Sequence, residues 1–458
     1  MANLADTTVE AALAPLAEQR GALAVRRILI LLGCMVYALG LREAYVDHVA
    51  PILHYQGEVD LFPPLSTSIF ATLAAVLPAA FLPQSSRYPG LMIGWLAYLL
   101  IFVPSCIIPF HAVDYESNGY VVFAAFLGLN AIGLAWLSAR RINLEAGRLR
   151  FRTETAYLAV IGVLALVVQV YVWSVLGIQT SIGDSIEEIY DFREAIFDRI
   201  WIERLIFTGY LLQFQSNAIL PVLTAVALVR RRWLLLGATF VGQYLLYLIM
   251  AQKSPVAVFA LQVVLFAIIG RGENAALRII MTLAGAVWFV LWLDDTYDLP
   301  GLVFSTVRRA ATTNGLLTGY YYDYFVEGNY AYFSQTILAG FSGATDTTSS
   351  YKITIGSTYA WPGASANANF WADGFANLGW AGVVIMTVVL GFVLILLNSI
   401  VSEGQTRLVI VAMGGVIQVL ANTGLQTTLV SGGMLLALFL IYLMPPERPA
   451  EPAPVPAR

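Results

Sequence analysis

An all-α integral membrane protein, with about 12 transmembrane helices and one large external loop between the ninth and tenth, is the fold class this sequence predicts. Three observations carry it. Of the 458 residues 59% are hydrophobic and only 12% are charged, with a mean hydropathy of +0.74; soluble domains run at about a quarter charged. Apolar runs recur along the chain at close to the roughly 20 residues that a bilayer-crossing helix needs. Between Leu299 and Leu378 stands one long stretch rich in Gly, Ser, Thr, Asn and Tyr. It is too long for a structureless connector and reads as a lid, binding loop or catalytic loop.

In chain order, residues 1–20 are Ala-rich with scattered acids and form a cytoplasmic start. Spans are expected at 22–41, 64–83, 90–110, 119–138, 155–177, 205–229, 233–251, 255–270, 279–294, 379–398, 408–424 and 428–444. The chain therefore divides into 1–298 (nine spans, with an external loop at 178–204), 299–378 (the large external loop), 379–445 (three spans) and 446–458. That last piece is Pro/Ala-rich and expected to be disordered. The first apolar run follows Arg26 and Arg27 but leads into Leu41-Arg42-Glu43 instead of a small-residue cleavage site, so no cleavable signal peptide is expected. Cys34 and Cys106 both fall in apolar runs, and no disulfide or zinc framework is visible.

Orientation follows from the distribution of positive charge. With the N-terminus inside, 17 of the 25 Lys and Arg fall in cytoplasmic segments and 8 in external ones, the loops carrying Arg140–Arg152 and Arg230–Arg232 dominating. The positive-inside rule then places both termini in the cytoplasm and the long loop outside, which in a Gram-negative bacterium is the periplasm. The exceptions are informative. Seven of the eight external cations sit in three places: the 178–204 loop (Arg193, Arg199, Arg204), the Lys253 hairpin, and the long loop (Arg308, Arg309, Lys352). Positive charge gathered against the bias suggests a site for an anion presented from the outer leaflet.

Three stretches could carry chemistry. In residues 185–210, Ile189, Phe192, Ile196 and Ile200 recur at helical spacing, so an amphipathic interfacial helix is expected. Its arginines either lace the surface in i,i+4 pairs, such as Arg199 with Glu203, or turn inward to grip a phosphate bidentately. Lys253 stands between two apolar spans with Pro255 opening the second. It either snorkels to the interface or faces a polar cavity, since a lysine at mid-bilayer costs roughly 2.5–3.5 kcal/mol. In the long loop, Tyr320, Tyr321, Tyr322, Tyr324, Tyr330 and Tyr332 surround Asp323 and Glu327. An interfacial aromatic belt would explain the tyrosines, and a sugar-binding surface would explain the embedded carboxylates as well. Further on, Asn367, Asn369, Asp373 and Asn377 line a helix approaching the membrane, where Asp373 is either a helix-dipole partner or a functional acid. Gly379 and Gly382 would permit close packing there.

Other chemistries are excluded by what is missing. No Walker-type Gly-Lys-Ser/Thr occurs, against an ATP motor, and no DxD pair stands in the early external loops, against metal-dependent oligosaccharide transferases. His48, His54 and His111 are scattered near external span ends and are not expected to bind metal; no cofactor and no nucleic-acid partner is expected.

The layout and three local patterns resemble the Wzy-type polymerases of O-antigen, capsule and exopolysaccharide repeat units. The patterns are the Lys253-Ser254-Pro255 turn, the Arg-bearing external loops, and the NxNFxxDxFxNxGxxG run from Asn367 to Gly382. Arg308 and Gly319 also fit an Arg-x10-Gly spacing described for external loops of some members, which Arg199 and Gly209 miss by one residue. The resemblance implies a GT-C-like, metal-independent, inverting glycosyltransferase of the bacterial inner membrane, in the class shared with O-antigen ligases and cell-wall glycan polymerases. Its partners would be undecaprenyl (polyprenyl) diphosphate-linked oligosaccharides and the lipid bilayer, with a chain-length regulator as a further candidate. On this reading Lys253, Arg193, Arg199, Arg204, Arg308 and Arg309 hold the diphosphate. Asp373, with Asp323 or Glu327 behind it, is the base. Tyr320, Tyr321, Tyr322, Tyr324, Asn367 and Asn369 position sugars. An O-antigen ligase and a lipid-linked oligosaccharide flippase are the alternatives; ligases usually carry a His in the long loop, and none lies between Leu299 and Leu378.

Overall fold

Inside a bilayer each backbone N–H and C=O must be paired by the protein, and a helix does this segment by segment. The computed structural model describes residues 3–53, 61–84, 87–115, 119–143, 149–178, 195–196, 200, 205–269, 274–299, 301–336, 338–339, 350–360, 364–402 and 404–446, and the regular structure among them is helical. Among these residues nine helices are long and apolar enough to cross a membrane: Leu23–Ile52, Pro89–Ala112, Gly119–Ser138, Glu154–Leu176, Ile206–Val229, Trp233–Met250, Ala275–Tyr297, Phe370–Ile400 and Leu425–Leu443. The chain is a multi-pass membrane protein. Three expected spans differ. Leu65–Phe81 and Ser254–Ile268 are shorter apolar helices. The run 408–424 is broken at Met413 into Thr406–Ala412 and Gly414–Asn422, where a Cβ on Gly415 would stand 2.6 Å from the Asn217 carbonyl oxygen.

The chain forms two compact units. The first comprises Met1–Ser86, Gly94–Trp136 and Gly272–Thr387. From Gly94 onward the Pro89–Ala112 helix is its centre; 94% of that helix's apolar window is buried, against 33% for Leu23–Ile52 and Ala275–Tyr297. Those two outer helices run parallel. Gly33 faces Ile280, Gly40 faces Val287 and Trp288, Trp288 Nε1 donates to the Val36 carbonyl at 2.9 Å, and His48 Nδ1 lies 2.8 Å from Asp294 Oδ2.

Much of the stretch expected to be an external lid is helix packed into this unit. It contains a π-helical segment Phe304–Thr312, then Thr313–Phe325, Tyr351–Tyr359 and the start of Phe370–Ile400. Thr313–Phe325 lies along the C-terminal half of Pro89–Ala112: Asn314 Nδ2 donates to the Leu100 carbonyl at 3.2 Å, and Thr318 and Ser105 hydroxyls meet at 2.9 Å. The approach is close enough that a Cβ on Gly315 would stand 2.3 Å from the Pro104 carbonyl oxygen.

The second unit comprises Arg87–Ile93, Leu137–Arg271 and Val388–Arg458. Its centre is Ile206–Val229, 83% buried over its apolar window. Amides tie neighbours to it: Gln215 Nε2 donates to the Ala165 carbonyl at 2.8 Å, Gln243 Nε2 to Ser216 at 3.2 Å, and Gln262 Nε2 to Pro221 at 2.7 Å. Such interhelical bonds replace the hydrophobic drive that is missing between helices in lipid. The 178–204 loop lies almost wholly, and the 447–458 tail wholly, outside the described residues.

Candidate functional site

The site is built around Asp373, in the first unit. Its helix begins at Phe370 behind Asn369, whose Oδ1 accepts from the backbone N–H of Trp371 at 3.1 Å and Ala372 at 3.2 Å. Asn369 is therefore the N-cap, and Asp373 is left for other work. Asn369 Nδ2 donates to Thr318 Oγ1 at 2.8 Å and to the Asn314 carbonyl at 3.3 Å, which anchors the cap on the Thr313–Phe325 helix.

The helix breaks after Asn377, at Leu378 (φ −141°, ψ 19°) and Gly379 (φ 58°, ψ −140°). Glycine takes this left-handed φ without a Cβ penalty, and Tyr330 packs so closely that a Cβ on Gly379 would lie 2.5 Å from its ring. A break frees the carbonyls of the preceding turn. Here the 331–333 segment takes them: Ala331 N donates to Ala376 O at 2.8 Å, Tyr332 N to Asn377 O at 3.2 Å, and Phe333 N to Asn377 Oδ1 at 2.7 Å. Tyr332 and Phe333 adopt φ of 45° and 62°, a conformation costing about 1–2 kcal/mol per residue, and these bonds hold them there.

Asp373 is 3% exposed. Its Oδ1 accepts from the Tyr351 hydroxyl at 2.9 Å, and its Oδ2 has no hydrogen-bond partner among the described residues. The field of Lys352 reaches it. The Tyr321 ring stands edge-on to Tyr351 at 6.1 Å, and its hydroxyl donates to the Ala366 carbonyl at 2.6 Å. Burial first, and then the Asp373 charge, hold the Tyr351 phenol well above its usual range, so Tyr351 remains a donor. A buried carboxylate fixed through one oxygen, with the other unpartnered among the described residues, is an exception to the rule that buried polar atoms are paired. That oxygen can accept a proton from a donor that reaches it.

Asp323 forms a second centre on the same helix packing. Its Oδ2 accepts from the Tyr359 hydroxyl at 2.6 Å, and Tyr359 stacks on Tyr320 with centroids 4.7 Å apart. Burial and then this bond raise the Tyr359 phenol far above its ordinary value. Glu327 is exposed.

The expected sugar-facing residues separate by burial. Tyr320, Tyr321 and Tyr322 are buried, Tyr322 among Phe375, Phe123, Tyr115 and Tyr120. Tyr324 is half-buried and Asn367 exposed. Of the cations, Arg308 is buried with its guanidinium 4.6 Å from the Phe304 ring centre, while Arg309 is exposed. Lys253 belongs to the second unit, where it is exposed at the start of Ser254–Ile268. Arg193, Arg199 and Arg204 lie outside the described residues, as does His54. No group of three His, Cys, Asp or Glu among the described residues could hold a metal ion.

Sequence reasoning missed Tyr351 and Tyr359, the partners of the two carboxylates. Neither belongs to a periodic pattern with its acid; the only available signal for Tyr351 was its neighbour Lys352, one of the cations set against the charge bias. The chain matches no family model, no curated protein and no solved structure.

Proposed function

We propose that this chain is an integral membrane glycosyltransferase that polymerises polyprenyl-diphosphate-linked oligosaccharide repeat units, into O-antigen, capsule or exopolysaccharide, on the periplasmic side of a bacterial inner membrane. Both termini are cytoplasmic in this reading, and the twelve apolar segments cross the bilayer. The observation that carries it is the Oδ2 of buried Asp373, which has no hydrogen-bond partner among the described residues, on a carboxyl fixed by Tyr351. Asp373 takes the proton from an acceptor sugar hydroxyl as that oxygen attacks the anomeric carbon of the donor. A new C–O bond forms with inversion, and the bond to the diphosphate breaks, the leaving oxygen keeping the electron pair. Arg308 and Arg309 offset the charge that develops on the diphosphate; Lys253, Arg193, Arg199 and Arg204 remain candidates for that role from the sequence alone. Tyr324 and Asn367 are the candidates with surface open to a sugar.

Purified protein in nanodiscs, given a polyprenyl-diphosphate oligosaccharide, should yield a ladder of repeat multiples. Asp373→Asn should slow it by about 10²–10⁴-fold, the contribution of a positioned base, while still retaining the lipid-linked substrate. Single transfer to a lipid A core would instead make the protein a ligase, and the absence of any covalent product would make it a transporter. Full activity in Lys253→Ala would remove Lys253 from the scheme.

A further inference from the structure

The second unit contains a cavity of about 300 Å³ that the proposed reaction does not use; Arg87, Tyr88, Arg141, Asn398, Ser402 and Thr406 are among its walls. Asn398 holds those walls together. Its Oδ1 accepts from the Gly90 N–H at 2.8 Å, and its Nδ2 donates to the Ser138 and Arg140 carbonyls at 2.8 and 2.7 Å. Thr406 donates to the Arg87 carbonyl at 3.2 Å. Arg150 reinforces the third wall, giving hydrogen bonds to Ser402 Oγ at 2.7 Å and to the Ile400 carbonyl at 3.3 Å. Because Ser402 accepts from Arg150, its own hydroxyl proton can go to a ligand.

Among the described lining residues the charge has one sign. Arg87 and Arg141 are both exposed, and Arg87 sits 5.7 Å from the Tyr88 ring centre. No described lining residue is acidic, and Glu403 lies outside the described residues. The cavity also lies at the ends of helices of spanning length. Pro89 opens one helix of spanning length, Ser138 closes a second, and Ile400 closes a third. Side chains at such ends stand at headgroup level, where the phosphates of anionic lipids are concentrated.

We propose that this cavity is a binding site for the phosphodiester headgroup of an anionic membrane lipid. Arg87 and Arg141 grip the phosphate through their planar forks, and Ser402 donates to a remaining oxygen. A free phosphate or diphosphate offers the same oxygens, so its source is a matter for the experiment.

Native mass spectrometry of the full chain, exchanged into micelles containing phosphatidylglycerol, cardiolipin or phosphatidylcholine, reads the retained lipid directly. We expect retention of the two anionic lipids over phosphatidylcholine, weakened about tenfold for each guanidinium replaced in Arg87→Gln and Arg141→Gln, the scale of one charge-assisted hydrogen bond. Arg141→Lys, which keeps the charge and loses the fork, should fall between. Arg232→Gln, whose side chain pairs with Glu154 at 2.6 Å, controls for net charge and should leave retention unchanged. Equal retention in the double variant Arg87→Gln/Arg141→Gln and in the wild type would overturn the site. Micromolar binding of pyrophosphate, with no discrimination among lipids, would overturn the headgroup assignment.

Discussion

Replacing Tyr351 by Phe deletes one hydroxyl and little volume, and so isolates the bond that holds Asp373. Its size follows from three features. The 2.9 Å distance is within normal O–H···O range; the carboxyl is 3% and Tyr351 7% exposed, so solvent does not replace the lost donor; and Oδ2 has no other described partner. An exposed pair of this kind would be worth at most about 1 kcal/mol. A buried neutral one is worth about 0.5–1.5 kcal/mol, and one to a charged acceptor about 1.5–3 kcal/mol. A double-mutant cycle of Tyr351→Phe, Asp373→Ala and the pair, measured by reversible unfolding in mixed micelles with tryptophan fluorescence, should give a coupling of about 2 kcal/mol, roughly thirtyfold in the folding equilibrium. The size of the coupling reports whether Asp373 is charged. A coupling under about 0.5 kcal/mol would refute the claim that Tyr351 fixes this carboxylate, and the case for Asp373 as a positioned base would go with it.

Gly382→Ala should abolish recovery of monodisperse protein in size-exclusion chromatography, because its Cβ would stand 1.9 Å from the Gly374 carbonyl oxygen. Gly133→Ala, with nothing within 4 Å, should be neutral or stabilising by about 0.5–1 kcal/mol. Tyr351 and Tyr359 have folded pKa values above the unfolded phenol value. Their stabilisation is therefore complete below about pH 10 and is lost as pH rises through the folded values. Alkaline titration followed by phenolate absorbance should show Tyr359 ionising only with unfolding; if Tyr359→Phe removes a phenolate that titrates at or below pH 10, this is wrong. Cys34 and Cys106 are both 0% exposed, so neither should react with maleimide until the protein is denatured in SDS.

The positions of helices were legible in the sequence because hydropathy acts over a whole segment, and an error of two residues changes little. The lengths of Leu65–Phe81 and Ser254–Ile268, and the break at Met413, depend on single local events that an average over 20 residues does not register. The Asp373 site was legible in part. Asp373 stood out as an acid at the mouth of an apolar run, but which residue caps that helix could not be read: Asn369 and Asp373 are both acceptable near a helix start, and only the bonds from Trp371 and Ala372 decide for Asn369. The tyrosines are ambiguous in a different way. A Tyr-rich stretch suits a sugar platform and a packed aromatic cluster equally well, and Tyr321 and Tyr322 are buried.

The parallel packing of Leu23–Ile52 and Ala275–Tyr297 bears on the crossings in between. Two helices that run the same way must be separated by an odd number of crossings. Among the described residues five helices of spanning length lie between them, so if those five cross, the short helices Leu65–Phe81 and Ser254–Ile268 either both cross or both do not. Contacts within the first unit bear on Leu65–Phe81. Just before it, the Leu61 N–H donates to the His111 carbonyl at 2.8 Å; just after it, the Gln84 carbonyl accepts from Arg26 at 2.8 Å. Arg26 and His111 mark opposite ends of the unit, since Leu23–Ile52 runs from Arg26 toward the end where Leu61 meets His111. Its last turn is 3₁₀, Leu77–Phe81, which stretches the 17 residues to about 28 Å, close to the roughly 30 Å of a hydrocarbon core. In the proposed reading, parity then has Ser254–Ile268 cross as well. Lys253 itself needs no such count: it follows the C-terminal end of Trp233–Met250, opposite the end that carries Arg230–Arg232, and in the proposed reading that is the end from which a lipid-linked diphosphate is presented.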